Sequence, residues 1–137
     1  MRLTMRKPGH GCLLVTLLFS LLGANPAPAQ EARPLPPEAS QEMVSQGKAL
    51  FQGQALCFAC HGAEGKGGTG PNLADAEWLQ EIESFEALVR LIVLGIDSEK
   101  SVTGQVMPPK GGSAISAAEA RAVAAYVWSI SPESPSE

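Results

Sequence analysis

The apolar positions change period several times along the chain, and each change marks an element. From about Cys12 to Ala24 the residues are continuously apolar, behind a basic start of Arg2, Arg6 and Lys7. The stretch from Gln30 to about Pro37 is polar and proline-rich and reads as a flexible lead-in. Met43, Gly47, Leu50 and Phe51 then recur at spacings near three and four, which predicts a helix over about 38–52 with a small residue in its apolar stripe. Pro37 stands near its first turn and Gly53 just past its end. Residues 62–70 are glycine-rich and run into Gly70-Pro71-Asn72-Leu73, a loop; Trp78 and Leu79 suggest a short helical turn. Ser84 can cap a helix Phe85–Leu94 that turns Leu88, Leu91 and Ile92 inward and stops at Gly95. Ile96 to Ser113 reads as a loop holding Met107-Pro108-Pro109. The capping box Ser116-x-x-Glu119 opens a helix to about Ile130, with Val123, Tyr126, Val127 and Ile130 on or near its inner side. A polar, proline-rich tail follows. No alternation of period two and no internal repeat occurs, so the fold class is all-α with long loops. Loops this long in a small domain need something to organise them.

The first segment is read as a leader. A basic start, an apolar core of about thirteen residues and the small-residue site Ala27-Pro28-Ala29 before Gln30 have the form of a secretory signal peptide. The core is shorter than the roughly 20 residues a membrane-spanning helix needs; an uncleaved anchor facing the periplasm is the alternative. The expected division is therefore a signal peptide over 1–29, the lead-in over 30–37, one domain over 38–131 and a disordered tail over 132–137. Removing residues 1–29 from the 137-residue chain leaves 108, with two cysteines, one histidine and two methionines. Losing Arg2, Arg6 and Lys7 takes the formal charge from −4 to −7. That balance argues against nucleic acid and anionic membrane surfaces as partners. A domain of this size buries only about 60–65% of its unfolded surface, so an apolar cofactor at its centre would supply much of the core.

Cys57-Phe58-Ala59-Cys60-His61 names that cofactor. C-x-x-C-H is the attachment site of a c-type haem: two thiols bond to the porphyrin's vinyl groups, and the next imidazole sits beneath the iron. A dithiol redox pair has no need of His61, and a zinc site needs a second ligand pair that the mature chain lacks. The G-x-G-x-x-G match at Gly65, Gly67 and Gly70 follows no strand and runs into proline, so it is not a dinucleotide fingerprint; these glycines are expected to let the backbone pass close to a flat ligand edge.

With one histidine, the iron cannot take two from this chain. Met107, Met43, a lysine or water remain as sixth ligand. Met43 lies on a helix, where packing is its expected role, whereas Met107 lies on a loop that Pro108 and Pro109 stiffen. A His/Met pair fills both axial positions and favours outer-sphere electron transfer over catalysis. The carbonyl of Pro71 is a reasonable acceptor for the other ring N–H of His61.

On Cys57-x-x-Cys60-His61, Gly70-Pro71-Asn72-Leu73 and Met107-Pro108-Pro109, the chain resembles the class I bacterial cytochromes c, small mono-haem proteins with His/Met ligation, from about Gly47 to Ser131. The resemblance implies about three to five helices around one covalently bound haem. It assigns the thioether bonds to Cys57 and Cys60, the iron to His61 and Met107, and the support of His61 to Pro71. It also implies a first helix crossing the last at Gly47 and Phe51 against Tyr126. The chain departs from it in having few lysines around the haem edge, where only Lys48, Lys66 and Lys110 could cluster. The acidic run Asp75, Glu77, Glu81, Glu83 and Glu86 is expected to be a solvated face. Trp78 either gives its indole N–H to a haem propionate or packs in the core. The implied protein is not an enzyme. It is a monomeric periplasmic electron shuttle between redox partners (a dehydrogenase, a quinol-oxidising complex or a terminal oxidase), without stable membrane insertion after cleavage. The alternative is a dedicated haem c subunit of a quinoprotein or flavoprotein dehydrogenase or of an oxidase complex.

Overall fold

The computed structural model describes residues 33–80 and 82–132. The expected signal peptide lies outside the described residues, as do residues 133–137 of the expected tail. Among the described residues no helix is long and apolar enough to cross a membrane.

Four α-helices are present among the described residues: α1 Gln41–Phe51, α2 Phe58–His61, α3 Phe85–Leu94 and α4 Ala117–Ile130, with a 3₁₀ turn at Pro109–Gly112 before α4. The described residues contain no strand beyond an isolated antiparallel bridge between Ile96 and Met107. The fold is all-α.

Helix α1 begins later than its proline suggested. Ser40 takes the cap, its side chain accepting from the Met43 N–H at 3.2 Å, while Pro36 and Pro37 close a preceding turn in which Ala39 N–H donates to Pro36 O at 2.9 Å. A hydroxyl that satisfies an orphan N–H is a stronger start signal than a proline that merely tolerates one. Helix α3 has the expected bounds, capped by Ser84 to the Ala87 N–H and stopped by Gly95 at φ +72°. Helix α4 opens on the full capping box: Ser116 Oγ accepts from Glu119 N–H at 3.2 Å, and Glu119 Oε2 accepts from Ser116 N–H at 2.7 Å. No helical turn forms at Trp78–Leu79, which runs in bends. Before it, Asn72 and Asp75 accept from the N–H groups of Ala74 and Glu77, and such Asx turns compete with helix for the same donors.

Helices α1 and α4 cross at their smallest residues. A Cβ on Gly47 would lie 1.9 Å from the carbonyl oxygen of Ala122, so only glycine lets the two backbones meet here. Phe51, fully buried, packs edge-on against Tyr126 with ring centroids 5.3 Å apart. Helix α3 leans on α4 through the buried side chains Phe85, Leu88 and Ile92, and Glu86 pairs with Arg121 across the outside of that contact. Ser131, where the polar tail begins, is buried and donates to Leu73 O at 2.6 Å, so α4 pins the loop that follows α2.

Candidate functional site

The pentapeptide 57–61 is a single helical turn with Cys57 at its start and His61 at its end. Leu56, held at φ +59°, turns the chain out of α1 and into this turn. Cys57 is buried and Cys60 exposed. Burial pushes the Cys57 thiol up to about 11, with the neighbouring Cys60 adding to the rise and a backbone hydrogen bond opposing it.

The glycine-rich loop lies close against the short helix. A Cβ on Gly68 would lie 2.7 Å from Cys60 O, and one on Gly62 would lie 2.8 Å from Gly67 O. Gly67 N–H donates to His61 O at 2.8 Å and Gly70 N–H to Cys60 O at 2.9 Å, so the loop wraps the short helix and satisfies its terminal carbonyls. The loop then delivers Pro71 to the imidazole: His61 Nδ1 lies 2.9 Å from Pro71 O. A carbonyl can only accept, so Nδ1 carries the proton and Nε2 keeps its lone pair for a metal.

Two cavities of about 720 Å³ and about 750 Å³, both open to solvent, adjoin this turn. Cys57, His61, Pro71, Ile96 and Met107 line both, so they are two parts of one cleft. Met107 is partly buried, and its backbone is fixed by reciprocal hydrogen bonds with Ile96 at 2.8 and 2.9 Å. Gly95 presses from behind, where a Cβ would lie 2.3 Å from Met107 O. Met43 packs against the core and does not line the cleft. Cys60 lines the outer part, beside Leu56, Val102 and Val106, which are 47%, 64% and 62% exposed. The inner part is walled by Leu88, Ile92, Val123 and Val127 from α3 and α4. Lys66 is paired with Glu64 at 2.6 Å.

The sequence reading missed Arg33 and Trp128. The guanidinium of Arg33 lies 4.7 Å from the ring centroid of Trp128 and 5.2 Å from that of Trp78. Trp128 Nε1–H donates to Pro34 O at 3.0 Å, seating the end of the lead-in on α4. No local pattern announces a contact spanning ninety-four residues; the only hint was a pair of tryptophans in a chain with few aromatics. Trp78 lines the inner part of the cleft, and its buried Nε1–H has no hydrogen-bond partner.

The cleft fits a haem. It is apolar inside, offers both thiols at one end, presents a fixed imidazole and a thioether on its walls, and leaves a buried donor waiting for an acceptor. Fold and site together define a c-type cytochrome. A family model described as "Cytochrome C oxidase, cbb3-type, subunit III" matches residues 42–127, well over half of the chain, and the protein belongs to this family. The chain is also similar to cytochrome cL from the marine methylotrophic bacterium Methylophaga aminisulfidivorans MPT, a crystal structure with 22% sequence identity and a TM-score of 0.47. That match covers 65% of this chain and 53% of the other, so the chain spans about half the length of that cytochrome. No curated protein matches the sequence. As a member of its family the protein carries covalently bound haem c.

Proposed function

We propose that the protein is a one-electron carrier with His61 and Met107 as axial ligands of a single haem c, attached through Cys57 and Cys60. The observation that supports this is a held imidazole and a held methionine backbone on one cleft: the His61 ring bonded to Pro71 O, and the Met107 main chain paired with Ile96 and followed by Pro108. Bound in that cleft, the haem supplies an iron that exchanges one electron between its ferric and ferrous states. The chain's residues hold the site still while it does so. Pro71 keeps the imidazole in one tautomer, and the Met107 segment would bring a soft sulfur that favours the ferrous state. The apolar walls would keep water from the iron, so that little solvent has to reorganise when the electron moves. The unpartnered indole N–H of Trp78 on the cleft wall would donate to a haem carboxylate.

Electrons enter and leave at the outer part of the cleft, lined by Leu56, Val102, Val106 and neighbouring polar residues, with no charged side chain among the described lining residues. The signal-like start supports export, and we place the mature protein in the periplasm as a monomeric shuttle between a dehydrogenase or quinol-oxidising complex and a terminal acceptor. A second reading, a haem subunit held in an oxidase, is favoured by the description of the family. Native sizing of periplasmic extract separates the two: haem eluting at the size of the mature chain supports the shuttle, and haem in a large assembly supports the subunit.

The test of ligation is Met107→Ala. This variant should keep its haem through denaturation and bind carbon monoxide in the ferrous state, whereas the wild type should bind almost none. Equal binding by both would remove Met107 from the iron. Replacing Cys57 and Cys60 together by alanine should abolish haem that survives denaturation.

A further inference from the structure

A haem brings two carboxylates into its cleft, and no described residue lining the cleft offers a cation to meet them. Among the described residues, the charged ones lining its inner part are Asp75 and Glu77, and the outer part has none. Among the described lining residues there is therefore no lysine or arginine, only further negative charge. Carboxylates brought into such a site without a compensating cation would be costly.

Arg33 stands one ring behind that wall. It stacks on Trp78, which lines the cleft, and on Trp128, which does not. Its Nε is buried without a hydrogen-bond partner, as is Nε1 of Trp78 in the same stack. Arg33 makes no ion pair with any described residue. The stack is closed further out by Phe85, edge-on to Trp128 at 6.0 Å. A guanidinium tolerates this setting because it is weakly hydrated, planar and stacks on indole, and it cannot shed its proton. A cation held against two rings with no carboxylate partner among the described residues calls for an explanation that packing alone does not give.

We propose that Arg33 is the fixed cation that offsets the carboxylate charge of the haem cleft and thereby raises the haem's reduction potential. The inference rests on the electron-carrier reading above. Reduction adds one electron to ferric iron and lowers the site's charge by one, with no bond made or broken. A permanent positive charge nearby favours that lower-charge state, and does so more strongly across aromatic rings than across water. The lead-in is then part of the redox site, not a tether to it.

The experiment is a potentiometric titration of haem-loaded full-length protein at pH 7, in low and high salt, comparing wild type with Arg33→Lys, Arg33→Gln and Arg33→Leu. The Gln and Leu variants should have lower midpoint potentials than wild type, Lys should stay close to wild type, and the differences should survive in large part in high salt because the stacked guanidinium is only partly exposed. Unfolding temperature, measured in parallel, reports loss of packing, which all three share in some degree; only the potential should sort them by charge. Leu fills the aromatic slot without a buried amide, so it carries the test if Gln fails to load haem. An unchanged potential in the neutral variants, or a fall in Lys as large as in Gln, overturns the proposal. A wild type lacking a reversible one-electron haem couple would instead overturn the carrier reading itself.

Discussion

A methyl group on Gly70 would lie 3.1 Å from both Nδ1 and Cε1 of His61 and 3.3 Å from Cys60 Cβ. The imidazole is therefore held from two sides, by the Pro71 carbonyl at one edge and by a bare backbone against it. Gly70→Ala should push the ring off its hydrogen bond at a cost of about 1–3 kcal/mol in stability. With covalent attachment intact, absorption and midpoint potential should both move; an unaltered spectrum would show that Gly70 does not set the ring. Cys57 offers a second test in chain prepared without haem. Its folded pKa is raised from 9.0 to about 11, chiefly by burial, so the folded state holds this proton more tightly than the unfolded one. Whatever stability this provides is complete below pH 9 and is lost as pH climbs towards 11. Alkylation of the folded thiols at neutral pH should accordingly modify exposed Cys60 before Cys57, read by mass spectrometry of the digested chain.

The helices were the readable part of this chain, because their signals are local. Ser84 with Gly95, and Ser116 with Glu119, put caps and stops within a few residues of what they control, and the bounds of α3 and α4 follow from them. The start of α1 was misplaced because Pro37 and Ser40 compete within one turn, and the hydroxyl wins by satisfying a donor. The turn at Trp78–Leu79 failed for a related reason: Asp75, two residues before Glu77, diverts the backbone with its side chain. At the site, Cys57, Cys60 and His61 were legible as a motif, and Pro71 as a carbonyl at a workable distance along the chain. The stack of Arg33 on two tryptophans was not legible, since a proline-rich segment carries no period to show where it docks. Two substitutions test the helices as elements. Ser116→Ala should cost about 1 kcal/mol by chemical denaturation, since it frees the Glu119 N–H and dismantles the box. The Ser116 hydrogen bonds hold the Glu119 carboxyl below its usual range, so this contribution is present above pH 4.5 and fades as pH falls below it. Gly47→Ala is the harsher change. Its Cβ cannot coexist with the Ala122 carbonyl, so α1 and α4 must part, at about 3 kcal/mol. A loss below 1 kcal/mol would mean the crossing can slide.

At the scale of the whole molecule the chain divides into a part that packs on itself and a part that packs on its cofactor. Helices α1 and α4 bury Leu50, Phe51, Val123 and Tyr126 against each other with glycine at the crossing. The inner faces of α3, the loop before it and the Ile96–Met107 segment meet the cleft instead. Wrapping of α2 by the glycine loop relies on backbone hydrogen bonds that protein atoms alone can make, so that turn belongs with the first part. Haem-free protein, made by replacing Cys57 and Cys60 with alanine, should therefore lose order unevenly. Leu88, Ile92, Val123 and Val127 line open space once the group is gone, and apolar walls facing a void forfeit both transfer and dispersion energy. Hydrogen exchange should retain protection in α1 and α4 while protection falls towards that of a free chain in residues 71–80 and 96–107. Residues 62–70 should lie between these extremes, held at one edge by Ser131 through Leu73. Uniform protection in the haem-free chain would mean that the protein organises its loops without the haem. Uniform loss would mean that α1 and α4 also depend on it, and that the haem is the core of the whole fold.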